Sequence, residues 1–217
     1  MSEKKSGAKT LLWSIIMSSP GPLVVGLGLI AGRSSTQLAD FVRRSAELLA
    51  IVMSFTVYMR IAKDETCSET KKRTLERRSN RFVGSMMCLA GLIMAVLALT
   101  VRNDDKGNVI PGLVIAVLGV LANSIFWYRY TRLNRNEPNA ILAVQARLYR
   151  AKSLVDISVT TALTAVLIDP AGTAAHWLDL IGSLIVAVYL IWCGVRTVYE
   201  ESRGIRPDAR EKPPRKN

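Results

Sequence analysis

Six long apolar runs, separated by short polar segments that are alternately poor and rich in Lys and Arg, constrain this 217-residue chain more than any other feature. Half of the residues are hydrophobic, which many soluble proteins share, so the distribution decides the class rather than the total. A transmembrane helix needs about 20 mostly apolar residues, and six of them leave little chain for a soluble domain. The sequence therefore predicts an all-α polytopic membrane protein, built as a bundle of six transmembrane helices.

The spans are placed by the apolar runs, at about residues 11–30, 36–61, 82–101, 110–130, 139–168 and 177–199. Pro20 and Pro22 predict a kink in the first span, because proline cannot donate the backbone hydrogen bond of a helix interior. We expect polar connectors at residues 63–81 and 131–138. The polar first half of the fifth helix is expected to protrude from the membrane or to line a wet cavity.

The chain divides into three predicted regions. Residues 1–10 are expected to be a cytosolic N-terminal tail without fixed structure, and residues 11–200 form the transmembrane domain. Residues 201–217 are expected to be a basic, disordered cytosolic tail, because they hold too few apolar residues to fold.

Orientation follows from the basic residues. The two ends, residues 63–81 and residues 129–135 hold most of the Lys and Arg, whereas the segments at 31–35, 102–109 and 169–176 hold few. Loops rich in Lys and Arg stay in the cytosol. Both termini are therefore predicted to be cytosolic.

The net charge of +12 does not indicate nucleic-acid binding, because the basic residues flank apolar runs and no soluble basic domain is present. It fits an orientation signal and attraction to anionic lipid. Cys67, Cys88 and Cys193 show no CxxC spacing, so they do not define a structural zinc site. We expect no nucleic-acid partner and no resident cofactor.

Charged residues fall inside two predicted spans. Asp40, Arg43, Arg44 and Glu47 follow helical spacing on the second helix, and Lys152 and Asp156 are four residues apart on the fifth. The two helices run antiparallel, and a rise of about 1.5 Å per residue puts Glu47 and Asp156 at similar depth. We expect one cluster of Arg43, Glu47, Lys152 and Asp156, with Arg43 close to Asp156 and Glu47 close to Lys152.

Two interpretations of this cluster stay open. Charges at mid-membrane are costly and usually mark a substrate or proton site. The structural alternative is a set of buried ion pairs that only fixes helix register. Arg44 and Arg33 are expected to be interfacial or to extend their charged ends to the membrane surface.

The same residues carry a resemblance to a known family. Residues 32–47 read GRSSTQLADFVRRSAE and resemble the second helix of the cation diffusion facilitator family, roughly GS-x-ALLADA-x-H-SLSD. Residues 152–156, KSLVD, resemble the pattern H-xx-SD of its fifth helix, and residues 177–187, WLDLIGSLIVA, resemble the start of its sixth. Asn123, followed by residues 129–132, fits the fourth helix. The resemblance covers about residues 11–208.

The resemblance implies a transported metal ion held between the second and fifth helices by four His or Asp ligands. The matching positions here are Arg43, Glu47, Lys152 and Asp156, with Asp40, Asn123 and Asp179 as an accessory polar face. Cationic Arg43 and Lys152 have no lone pair to offer. Glu47 and Asp156 are therefore the only plausible metal ligands of the central site.

The sequence also differs from the family pattern in two features that concern the sensing and supply of the metal. The family's cytosolic metal-sensing domain is not expected, since the sequence ends soon after the sixth helix. A histidine-rich loop is absent, and His176 is the only histidine. We expect it to be interfacial rather than a ligand.

The sequence thus predicts a secondary cation transporter for efflux, coupled to protons, with an atypical central site and no enzymatic activity. The alternative is a non-transporting structural or regulatory membrane protein on the same scaffold. Expected partners are the lipid bilayer, a second copy in a homodimer, and the transported cation or proton. We expect the plasma membrane of a bacterium or archaeon.

Overall fold

The computed structural model describes residues 2–31, 35–64, 68–100, 110–168 and 173–204. Within these ranges all regular secondary structure is α-helical, with no strand. Six stretches are long and apolar enough to cross a membrane: Ser6–Leu27, Phe41–Lys63, Glu69–Thr100, Leu113–Asn136, Ala140–Ile168 and Leu180–Ser202. The predicted all-α architecture with six spans is confirmed.

The first span consists of two helices, α1 (Ser2–Ser18) and α2 (Pro20–Ala31), that meet at Ser19. The break lies at the predicted kink, because Pro20 is well suited to begin a helix and poorly suited to continue one. The expectation of an irregular tail is wrong for residues 2–9, which are helical. They pack on the bundle: Tyr58 lies so close to Gly7 that a Cβ there would meet its hydroxyl.

The other spans belong to five longer helices, α3 (Ser35–Lys63), α4 (Glu69–Thr100), α5 (Ile110–Asn136), α6 (Ala140–Ile168) and α7 (Thr173–Ser202). The polar connectors expected at 63–81 and 131–138 are largely helical, since α4 starts at Glu69 and α5 runs to Asn136. Some of their polar side chains have partners in a neighbouring helix. Asn80 Nδ2, for example, donates to Glu201 Oε1 at 2.7 Å.

The start of α6 is set by an asparagine cap. Asn139 Oδ1 accepts hydrogen bonds from the backbone N–H groups of Ile141 and Leu142, at 3.0 and 3.3 Å. The first half of α6 is packed inside the bundle, and Lys152 at its end lines a cavity, which is one of the two expected alternatives. Residues 140–146 are all buried, and Gln145 Nε2 donates to Ser54 Oγ of α3 at 2.7 Å. This half of α6 is the centre of the bundle core.

Helices α4 and α7 pack along each other, as do α5 and α6. Glycines allow the first pair to approach closely, because a Cβ on Gly194 would lie 2.6 Å from the carbonyl oxygen of Gly84. The outer faces carry exposed Leu, Ile and Val side chains, as lipid-facing surfaces do. Residue 1 and residues 32–34, 65–67, 101–109, 169–172 and 205–217 lie outside the described residues.

Candidate functional site

A cavity of about 440 Å³ opens among α1, α2, α3, α5 and α6. Its walls are mostly apolar, with Met17, Ile115, Phe126, Val159 and Leu163 among them. The charged residues on the lining are Arg43, Arg44, Glu47, Lys152 and Asp156. The four residues predicted to form a central cluster therefore border one cavity.

Glu47 is the most thoroughly neutralised acid of this cavity. It is 7% exposed, and it lies on α3 one turn after Arg43. Arg43 Nη1 contacts Glu47 Oε1 at 3.1 Å, and Lys152 Nζ of α6 contacts Glu47 Oε2 at 3.4 Å. Two cations thus share one carboxylate, which compensates the cost of burying it.

Lys152 has two further contacts that hold its ammonium group in place. Its Nζ donates to Ser18 Oγ at 3.4 Å and lies 5.1 Å from the ring centroid of Tyr149. Tyr149 is fully buried and packs against Phe126 and Tyr130. An ammonium group therefore sits between a carboxylate and an aromatic face, an arrangement that favours cations.

Asp156 lies one turn after Lys152 on α6 and has a different environment. Asn123 Nδ2 of α5 donates to Asp156 Oδ2 at 2.5 Å. A Cβ on Gly119 would lie 2.8 Å from the same oxygen, so this glycine provides the space for the carboxylate. Among the described residues Asp156 forms no ion pair. It is the acid of the cavity that no cation contacts directly.

The structure contains one of the two predicted ion pairs. Glu47 and Lys152 are in contact as expected. The ion pair that the structure gives Arg43 is with Glu47 rather than Asp156, because these residues are one helical turn apart on α3. Arg44 lines the cavity beside Gly21 and is partly exposed, and its expected place at the membrane surface stays a prediction.

The accessory polar face is only partly visible. Asn123 touches Asp156, as its place on the fourth span suggested. Asp40 and Asp179 belong to α3 and α7, but their side chains, like those of Arg33 and His176, lie outside the described part of the structure. The roles of Ser18 and Gly119 are not predictable from the sequence, since neither residue type indicates a site without its neighbours in space.

The donor set does not resemble a metal centre. Across the side chains that the structure describes, no three His, Cys, Asp or Glu residues come together to hold an ion. A zinc-like ion prefers about four N, S or O ligands. Glu47 and Asp156 border the same cavity, but both carboxylate oxygens of Glu47 already contact a cation, one Arg43 and the other Lys152.

A second buried polar cluster lies at the far end of α7. Glu200 Oε2 contacts Arg147 Nη1 of α6 at 2.7 Å, and Glu200 Oε1 contacts Arg196 Nε at 2.9 Å. Arg77 Nη2 donates to the backbone oxygen of Ser202 at 2.6 Å. These contacts tie α4, α6 and α7 together, away from the cavity.

A six-span helical bundle with a charged cavity between its first, second, fourth and fifth spans is typical of polytopic membrane proteins that transport small solutes. Comparison with known families agrees: residues 11–205 match the family described as cation efflux transmembrane domain. The chain therefore belongs to the cation efflux family, which is a family of transporters. No curated protein matches it.

Proposed function

We propose that the protein is a secondary cation transporter for efflux in which Asp156 binds the transported cation or the coupling proton. The observation that carries this proposal is the position of Asp156, which borders the cavity without an ion pair among the described residues. Ionisable groups inside a membrane domain are costly and serve a function by default. Family membership supports the same conclusion.

The remaining charged groups have supporting roles in the proposed mechanism. Arg43 and Lys152 keep Glu47 neutralised, so the cavity can be empty without leaving that carboxylate uncompensated. Asn123 binds one oxygen of Asp156 and leaves the other for a cation or a proton. Alternating access of the cavity to the two sides of the membrane would then exchange the two ions.

Orientation and assembly complete the proposal. Both termini face the cytosol, since the segments rich in Lys and Arg then fall on the cytosolic side. The protein works as a homodimer, as the resemblance to cation diffusion facilitators implies, in the plasma membrane of a bacterium or archaeon. Mass measurement in nanodiscs tests the dimer, and monomer alone at every concentration would contradict it.

A second candidate function is a structural or regulatory role without transport. The observation in its favour is that two of the four central positions carry cations, and that both cations bind Glu47 rather than leaving it open. In this case the cluster fixes the register of α3 against α6. The basic tail would bind lipid or a partner protein.

A flux assay in proteoliposomes separates the two candidates. Purified protein is reconstituted and tested with a panel of monovalent and divalent cations, with and without a pH gradient. Transport predicts cation movement driven by the proton gradient, together with proton movement in the opposite direction. If no cation in the panel moves faster than in protein-free vesicles, the structural role is favoured.

A further inference from the structure

The lining of the central cavity also bears on the chemistry of its ligand. We propose that the cavity binds a monovalent organic cation, an ammonium or related group with apolar substituents, rather than a bare divalent metal ion. This inference rests on the proposed function, because it names the substrate class of the same site.

The cavity offers few ligands for a divalent metal ion. Asp156 offers one carboxylate with Asn123 beside it, and Glu47 is held by Arg43 and Lys152. A divalent ion such as zinc needs about four ligands, and the described residues bring no group of three acids, histidines or cysteines together. An ammonium group needs only one carboxylate and a few hydrogen-bond acceptors or aromatic faces.

The volume and the apolar lining of the cavity suit an organic guest. A volume of about 440 Å³ falls within the range of small-molecule pockets, roughly 300–1,000 Å³, which are mostly apolar with a few polar groups. Met17, Ile115, Val159 and Leu163 line the walls. These side chains offer nothing to a bare ion and good packing to organic substituents.

The summed charge of the cavity lining favours a monovalent guest over a divalent one. The charged residues of the lining sum to +1 when ionised, because three cations, Arg43, Arg44 and Lys152, accompany two acids, Glu47 and Asp156. A monovalent guest therefore brings the lining to two positive charges and a divalent guest to three, and the smaller excess of buried charge favours the monovalent guest. The surroundings of Lys152 show that groups beside this cavity can hold an ammonium ion. Its ammonium group lies between the Glu47 carboxylate and the ring of Tyr149, and Phe126 extends the aromatic surface to the cavity wall.

The test uses the full chain in detergent and tetraphenylphosphonium as the probe, measured by isothermal titration. Triphenylphosphine oxide serves as the neutral analogue, and Zn²⁺ as the divalent comparator. We expect tetraphenylphosphonium to bind, and the neutral analogue and Zn²⁺ not to bind. Asp156→Asn should weaken probe binding about tenfold or more, because a charge-assisted contact is lost.

Asp64→Asn is the matched control, since Asp64 lies outside the cavity and pairs with Lys71, and its affinity should equal that of the unmodified protein. If Asp156→Asn does not fold, Gly119→Ala replaces it, because the added Cβ displaces the carboxylate. Zn²⁺ binding that depends on Asp156, no probe binding, or probe binding to the Asp156 and Gly119 variants as tight as to the unmodified protein would overturn the inference.

The failure of this inference is distinguishable from the failure of the proposed function. Flux of Zn²⁺ but not of tetraphenylphosphonium in proteoliposomes, lost in Asp156→Asn, would keep the transporter and reject the substrate class. Probe binding that depends on Asp156, without flux of any cation, would support the ligand class and reject transport.

Discussion

Glu47 of α3 and Lys152 of α6 bring their charged groups to 3.4 Å, and Arg43 holds the other oxygen of the same carboxylate at 3.1 Å. Glu47 is thus the shared partner of two cations, and its contact with Lys152 joins two helices through residues that lie more than 100 positions apart in the sequence. The arrangement is asymmetric, because removing the acid affects two cations whereas removing one cation leaves the acid with a partner.

This asymmetry predicts unequal losses of stability. Glu47→Gln should lower the free energy of unfolding by about 3–5 kcal/mol, since two buried cations lose the carboxylate that both contact. Lys152→Met should cost less, about 1.5–3 kcal/mol, because Glu47 keeps Arg43. The control is Glu69→Gln, whose exposed pair with Lys72 should contribute less than about 1 kcal/mol. Unfolding in mixed micelles measures all three, and equal losses for Glu47 and Lys152 would contradict the shared carboxylate.

Two glycines should respond differently to the same substitution. In Gly119→Ala the new Cβ meets the end of the Asp156 side chain, which can rotate, so we expect impaired transport with little change in stability. In Gly194→Ala the Cβ meets the backbone of Gly84, which cannot move away without separating α4 from α7. A loss of stability of about 1–3 kcal/mol should follow. Thermal unfolding in detergent and flux distinguish the two, and a stable Gly194→Ala protein would contradict the close packing.

The sequence predicted the six spans because helical membrane segments reveal themselves by length and hydrophobicity alone. The helical extensions of α4 and α5 were missed, since their polar residues are satisfied by tertiary partners such as Glu201. Spacing also placed the four central residues correctly on two helices. The partner of Arg43 was not predictable in this way, because a contact within one turn of α3 competed with one across the cavity.

Arg147 and Arg196 share Glu200, and their burial predicts which of them matters more. The side chain of Arg147 is 12% exposed and that of Arg196 is 35% exposed. Arg147→Met should therefore be the more destabilising of the two, because it breaks the better-buried contact and the one that links α6 to α7. Arg196→Met should cost less than about 1 kcal/mol. Parallel unfolding curves test this, and a larger loss for Arg196→Met would contradict it.

The proposed orientation predicts a labelling pattern. Cysteines introduced at Asp105 and Gly172, in a chain without native cysteines, should react with a membrane-impermeant maleimide added outside intact cells. A cysteine at Lys72 should react only after permeabilisation, because its segment is among the most basic of the chain. If only the cysteine at position 72 were labelled in intact cells, the proposed orientation would be contradicted.

The most direct test of the central claim is cation flux through Asp156→Asn in proteoliposomes, beside the unmodified protein and Asp64→Asn. The substitution nearly keeps the shape of the side chain, and it removes both the carboxylate charge and the ability to take up a proton. A transporter that uses Asp156 predicts flux in the unmodified protein and in Asp64→Asn, and flux at the level of empty vesicles in Asp156→Asn. Undiminished flux in a folded Asp156→Asn protein would contradict the assignment of Asp156 as the binding carboxylate.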